Sequence, residues 1–163
     1  PEVVRPQPVP AEAPAVAEDE LARCRSGTVL VVEDEDGVRD LARRVLEQQG
    51  HRVLEARNGP EALNTLDQAG DDLDLIVSDV IVPDADTSYL DREARRRRPD
   101  LPILYMSGYS REEMLERGLI PQGRAFLQKP FTAEELGIQV CRQIEAAGAA
   151  TGTGAPGEGI LPR

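Results

Sequence analysis

The chain has 163 residues, of which 40% are hydrophobic and only 3% aromatic, and its acidic residues outnumber its basic residues by 30 to 19. This length and composition predict one folded domain whose core is built from Val, Leu, Ile and Ala. The formal net charge of -11 disfavours a nucleic-acid-binding module, which usually carries a basic face, and no stretch approaches the roughly 18 apolar residues of a membrane span.

Residues 1–27 carry five prolines among Glu, Ala and Val and show no hydrophobic period, which predicts a flexible linker. Cys24 and Cys141 lie far apart in the sequence and outside any metal-ligand spacing, so we expect reduced thiols. The chain begins at Pro1 rather than at Met, from which we expect a fragment of a longer protein. Since no signal peptide or spanning segment is visible, we expect this piece to be cytoplasmic, with a membrane-anchored parent left open.

Short apolar runs then alternate with helical patterns as far as residue 147. The runs are too short for helices and lack in–out alternation, as is usual for strands that are covered on both faces. They are Val29–Val32, Val53–Leu54, Leu75–Val77, Ile103–Met106 and Ala125–Leu127. Five strands alternating with five helices in about 120 residues predict a parallel, doubly wound α/β domain.

Local signals mark the helices between these strands. Gly50 ends the first helix, and Pro60 suits the first turn of the second. The apolar face of the first helix is expected to consist of Val38, Leu41, Val45 and Leu46. Two later helices begin at capping-box patterns, Ser110 with Glu113 and Thr132 with Glu135. Residues 148–163, rich in Gly, Ala, Thr and Pro, predict a flexible tail.

Polar residues stand where the strands end, and in doubly wound sheets the ligand site lies at the carboxyl ends of the strands. Glu33 and Asp34 follow the first strand, Asp79 ends the third, Ser107 ends the fourth, and Lys129 follows the fifth. Lys129 is the only lysine of a chain whose other eighteen basic residues are arginines. Lysine is a compact point charge where arginine is a planar fork, so we infer that this position requires a lysine.

This set of residues suits phosphoryl transfer. Three carboxylates held close together repel one another, and Mg²⁺ relieves that repulsion while keeping positions for phosphate oxygens. Asp79 can then attack phosphorus to give an acyl phosphate, and Lys129 and Ser107 can stabilise the oxygens of the transferred group. Taken singly, each residue has an ordinary interpretation: an acidic helix start, a solvated lysine or a Ser-Gly turn.

Over residues 28–147 the chain resembles the receiver domains of bacterial response regulators. The resemblance rests on Val29–Asp34, Ser78–Val80 with Pro83, Tyr105–Tyr109 and Phe126–Phe131. The last two segments resemble receivers fused to hybrid sensor histidine kinases. The resemblance implies a flavodoxin-like sheet with strand order 2-1-3-4-5 and five flanking helices.

The resemblance also implies a role for each site residue. Asp79 is expected to be the phosphoacceptor, and Lys129 is expected to pair with the phosphoryl group. The expected Mg²⁺ ligands are Glu33, Asp34, Asp79 and the carbonyl of Ile81. Ser107 and Phe126 are the expected switch residues, with Ser107 turning inward on phosphorylation and Phe126 rotating on the output face. The Lys129–Pro130 peptide bond is expected to be cis.

The implied partner is a histidine kinase, a histidine phosphotransfer protein or both, with no direct contact to nucleic acid or membrane. The implied chemistry is self-phosphorylation and autodephosphorylation, and a hybrid histidine kinase is a compatible parent. The family usually has Met and then Gly after the proline at position 83, where this chain has Ala85 and Thr87. That departure leaves a degenerate receiver, acting in docking or dimerisation, as the alternative. An aspartyl-phosphate phosphatase is disfavoured by Ile81, where such enzymes usually carry a second acid.

Overall fold

The computed structural model describes residues 19–80, 87–120 and 123–152. Within those ranges, five parallel strands form one sheet in the order β2-β1-β3-β4-β5, which confirms the expected fold class. The strands are β1 (Thr28–Val32), β2 (Arg52–Ala56), β3 (Leu75–Asp79), β4 (Ile103–Ser107) and β5 (Ala125–Gln128). Since β1 leads to β2 on one side and β3 pairs with it on the other, the strand order reverses beside β1 and β3.

The helices that connect and follow the strands are α1 (Asp36–Gln48), α2 (Gly59–Ala69), α3 (Thr87–Arg97), α4 (Arg111–Glu116) and α5 (Ala133–Gly152). A 3₁₀ turn, Gly70–Asp72, precedes β3, and residues 19–22 form a helical turn ahead of β1. The side chain of Ser110 accepts a hydrogen bond from the Glu113 amide at 3.2 Å, and Thr132 and Glu135 bond reciprocally at 3.0 and 3.1 Å. The capping box at Thr132 is therefore confirmed in both of its hydrogen bonds, and Ser110 is confirmed as the N-cap of α4. Among the described residues, no helix is long and apolar enough to cross a membrane.

Buried apolar side chains cover both faces of the sheet, as the short unalternating strands predicted. Along β1, Leu30 and Val32 point to the face covered by α2, α3 and α4, whereas Val29 and Val31 point to the face covered by α1 and α5. The central strands are thus enclosed, and only their ends reach the surface. This arrangement restricts a ligand site to the rim where the loops leave the sheet.

The expected inner face of α1 is wrong at Leu41, and Val38 is only partly buried. Leu41 is 52% exposed, while Ala42, Val45 and Leu46 are buried against the sheet. The helix is rotated so that Arg39 also lies inside, where its Nη1 donates to the Glu33 carbonyl oxygen at 3.0 Å. Spacing alone allowed either Leu41 or Ala42 to face inward, and the hydrogen bond of Arg39 fits only the second choice.

The prediction of reduced thiols is contradicted. Cys24 and Cys141 form a disulfide with their Cα atoms 5.5 Å apart, across a sequence separation of 117 residues. Their sequence distance concealed this pairing, because the chain just before β1 passes directly over α5. The described part of the expected linker, residues 19–27, accordingly lies against α5.

Candidate functional site

Three carboxylates meet where β1 and β3 end. Val32 is in register with Ser78 on the neighbouring strand, so the next residues, Glu33 and Asp79, lie side by side. Carboxylate oxygens of Glu33, Asp34 and Asp79 all lie within 4.8 Å of one another. Parallel pairing thus brings together acids that are more than forty positions apart in the sequence.

Lys129 supplies positive charge to this group. Its Nζ donates to Glu33 Oε2 at 2.7 Å and lies 3.6 Å from Asp79 Oδ2. Its backbone amide donates to the Ser107 carbonyl oxygen at 2.7 Å, which ties the residue after β5 to the end of β4. The Lys129–Pro130 peptide bond is cis, as the resemblance implied.

Burial and charge change the proton affinities of this group. Glu33 is 1% exposed, and its burial raises the pKa of its carboxyl, with a further rise from Asp79 and an opposing hydrogen bond from Lys129. Burial acts to lower the pKa of Lys129, but the hydrogen bond to Glu33 and the charge of Asp79 outweigh it, so the pKa is raised. Lys129 therefore remains charged, and one ammonium faces three carboxylates. Such a cluster has a strong electrostatic preference for an added cation.

Ser107 and Phe126 lie on the neighbouring strands. Met106 is in register with Asp79, so Ser107 comes one residue further along β4. The Ser107 hydroxyl is buried and accepts a hydrogen bond from the Tyr109 amide at 3.0 Å. Phe126 on β5 is in register with Tyr105 on β4, and its half-buried side chain packs against the core. Ile81 and the altered loop at positions 81–86 lie outside the described residues.

Arg39 is a site-neighbouring residue that the sequence did not reveal. Besides the Glu33 carbonyl, its guanidinium bonds to Asp36 Oδ1 at 2.5 Å, and it is 9% exposed. The hydrogen bond from Arg39 lowers the pKa of Asp36. An arginine placed between apolar positions of a helix was the available signal, since a buried guanidinium needs a nearby acceptor. Arg39 fixes the backbone at the point where β1 delivers Glu33.

A second buried polar group, also not anticipated, lies between α3 and β5. Asp91 accepts hydrogen bonds from Tyr105 Oη at 2.7 Å and from Arg124 Nε and Nη2 at 2.8 and 3.0 Å. Burial, reinforced by Asp91, raises the pKa of Tyr105 well above its usual range. Every oxygen of the Asp91 carboxylate thus has a donor, and the group is complete as it stands.

Comparison with known proteins relates the whole folded region to one family. The family model of the response regulator receiver domain matches residues 29–148. Sensor kinase CckA of Brucella abortus is 40% identical over 121 residues, covering 74% of this chain but 13% of that protein. An uncharacterized transcriptional regulatory protein of Bacillus subtilis, YrkP, is 32% identical over 116 residues, covering 71% of this chain and 48% of that protein. The chain therefore spans about half or less of these relatives.

Solved receiver structures agree with the sequence matches. The crystal structure of the receiver domain from the hybrid histidine kinase CckA is 37% identical and has a TM-score of 0.62, over 72% of this chain and 99% of that chain. The chemotaxis protein CheY4 of Vibrio cholerae is 28% identical and has a TM-score of 0.63, over 72% of this chain and 98% of that chain. Both align with nearly their full length.

Proposed function

This chain belongs to the family of response regulator receiver domains of two-component systems, and we propose that Asp79 is its phosphoacceptor. The supporting observation is the convergence of Asp79 with Glu33, Asp34 and Lys129 at one rim of the sheet. This arrangement combines a nucleophilic carboxylate, oxygen ligands and a fixed cation, which are the groups that phosphoryl transfer to a carboxylate requires. It gives no support to the alternative of a docking module without phosphorylation.

Receiver domains generally use Mg²⁺ for phosphorylation, and the residues of this chain fit that ion. In octahedral coordination at about 2.1 Å, two ligand oxygens lie at most roughly 4.2 Å apart. The acidic oxygens already lie within 4.8 Å of one another, so a small side-chain adjustment suffices. We propose Glu33, Asp34 and Asp79 as the residues that hold Mg²⁺, with the Ile81 carbonyl as a further ligand. The bound ion would neutralise charge on the phosphoryl oxygens.

The transfer follows from the positions of Asp79 and Lys129. A carboxylate oxygen of Asp79 attacks phosphorus while the bond from phosphorus to the imidazole nitrogen of a phosphohistidine breaks, and the histidine departs. Lys129 Nζ, 3.6 Å from Asp79 Oδ2, is within reach of an oxygen of the incoming group. We propose that the Ser107 hydroxyl then gives up its bond from Tyr109 and turns to the phosphoryl group, with Phe126 moving in response.

An apolar surface lies beside this rim. Receiver domains generally interact with histidine kinases or phosphotransfer proteins. Next to Lys129, an apolar depression is lined by Val38, Leu41, Pro130 and Phe131. Leu41, at 52% exposure, is the residue that the sequence wrongly placed in the core. We propose that an apolar helix face bearing the phosphohistidine docks here, because exposed apolar side chains beside a reactive group favour such a contact.

The assignment of Asp79 predicts the outcome of labelling with acetyl phosphate. With Mg²⁺ present, the parent chain should gain one phosphoryl group, while Asp79→Asn should reduce the labelling rate by roughly 100-fold or more, since the nucleophile is lost. Intact-mass spectrometry measures the product. Asp100→Asn, which changes an exposed acid between α3 and β4, is the matched control and should label like the parent. Equal labelling of the Asp79→Asn variant would refute the assignment.

A further inference from the structure

The disulfide fastens a surface segment, residues 19–27, to the last helix. Cys24 belongs to this N-terminal segment and is half-buried, whereas Cys141 belongs to α5 and is 5% exposed. Cys24 is therefore the more exposed of the two cysteine residues. This asymmetry determines which sulfur atom an external thiol can attack.

The noncovalent contacts of the N-terminal segment are weak by comparison. Glu20 pairs with Arg142 at 3.1 and 3.2 Å, with side chains that are 36% and 57% exposed. The Arg25 amide donates to Glu145 Oε1 at 3.0 Å, also at the surface. Exposed ion pairs and solvent-accessible hydrogen bonds hold a chain segment only loosely. Arg25 Nη2 also donates to the Ile144 carbonyl oxygen at 3.4 Å, and the covalent link is the strongest single restraint between this segment and α5.

We propose that Cys24 and Cys141 form a reversible thiol–disulfide exchange site for small-molecule thiols and disulfides such as glutathione, and that its state decides whether the N-terminal segment stays on α5. In reduction, a thiolate attacks the sulfur of Cys24, and Cys141 leaves as a thiolate that takes up a proton. A second thiolate attacks the mixed disulfide and releases Cys24, which also takes up a proton. Two glutathiones thereby become one glutathione disulfide, and both protein sulfurs are reduced.

Glu145 tunes this exchange. Its carboxylate oxygen lies within 4.8 Å of both sulfur atoms. A negative charge at that distance disfavours a departing thiolate and repels an approaching one. Glu145→Gln keeps an acceptor for the Arg25 amide but removes the charge, so it should accelerate reduction severalfold. The rate measured with dithiothreitol tests this expectation, and an unchanged or slower rate would contradict the role of Glu145 and the exchange geometry.

Equilibration of the full chain in glutathione buffers tests the site itself. After quenching with a maleimide, intact-mass spectrometry should find no labels in the most oxidising mixture and two labels in the most reducing one, with both cysteines changing together. Two labels in every mixture would overturn the proposal, and so would no labels in any mixture. A persistent glutathione adduct on one cysteine would overturn it as well, because it would show that the ring does not close. The Cys24→Ser variant shows what the Cys141 thiol does without its partner.

Hydrogen exchange tests the coupling to the N-terminal segment. The amides of Arg23, Cys24 and Arg25 donate within the segment and to Glu145. On reduction they should exchange at least roughly tenfold faster, while the amides of β1 remain protected. Glu20→Gln weakens the ion pair with Arg142 but retains both cysteines, so its oxidised form should stay protected. Equal exchange in oxidised and reduced chains would refute the coupling.

Discussion

Glu33 and Asp91 are both buried carboxylates, but their charges are met in different ways. Asp91 receives two hydrogen bonds from Arg124 and one from Tyr105. Arg95 Nε also lies 3.5 Å from Asp91 Oδ1. Glu33 receives one hydrogen bond from Lys129 and one from the Glu35 amide. The Glu33 cluster also contains Asp34 and Asp79, so its negative charge exceeds its positive charge. The Asp91 cluster is neutralised by its own residues, whereas the Glu33 cluster keeps a net negative charge.

The two clusters also differ in their basic residue, which is Arg124 beside Asp91 and Lys129 beside Glu33. Arg124 presents a planar fork that satisfies both oxygens of Asp91. Lys129 presents a single ammonium that bonds Glu33 and remains 3.6 Å from Asp79, within reach of another oxygen. A buried charge that its own neighbours neutralise supports the fold, and a cluster that keeps an excess of like charge is the usual setting of a binding site.

The largest expected effect is the loss of folding stability when Asp91 is replaced. Asp91→Ala should lower the free energy of unfolding by about 3 kcal/mol, because Arg124 and Tyr105 are left buried without their acceptor. Equilibrium unfolding in urea measures it. Glu93→Ala on the same helix removes a partly exposed carboxylate that pairs with Arg96 and Arg97, and it should cost less. A loss at Asp91 no larger than that of this control would show that the Asp91 cluster does not act as a unit.

The fold and the members of the acidic site could be predicted from the sequence because both depend on local patterns. Short apolar runs give strands, and the residues after them must meet once the strands are parallel. No further information was needed to place four residues at this rim, namely Glu33, Asp34, Asp79 and Lys129.

The contacts that were missed depend on features that local patterns do not specify. Asp91 and Arg124 are 33 positions apart, and Tyr105 is an apolar-looking strand residue, so only the packing of α3 against the sheet brings them together. The rotation of α1 exposes Leu41 and turns Arg39 inward, where it bonds to the Glu33 carbonyl oxygen. The disulfide likewise requires the path of the chain ahead of β1.

The second expected effect is that Mg²⁺ stabilises only an intact acidic cluster. At an ion concentration ten times the Kd, binding to the folded state should add about 1.4 kcal/mol to the free energy of unfolding. Asp79→Asn should lose most of that gain at the same concentration, because one carboxylate ligand is removed. Asp91→Asn should retain the gain in full, although its starting stability is lower. Urea unfolding with and without MgCl₂ checks this, and a gain that survives Asp79→Asn would place the ion elsewhere.

The smallest effect concerns His51, a buried side chain whose charged form is disfavoured by burial. Burial lowers its pKa from 6.5, partly offset by the charge of Asp74, and its Nδ1 accepts a hydrogen bond from the Gly27 amide at 3.1 Å. Between pH 6.5 and the lower folded-state pKa, the unfolded chain binds more protons, so the free energy of unfolding falls as the pH falls through that interval.

One proton limits this contribution to about 1.4 kcal/mol per pH unit, and the slope should be shallower than that. His51→Gln should remove it, so the difference between parent and variant, measured by urea unfolding from pH 7 downward, isolates the histidine from the carboxylates. His51 is the only histidine of the chain, so its NMR titration is free of overlap. A titration midpoint at or above 6.5 would show that burial does not suppress the ionisation of His51.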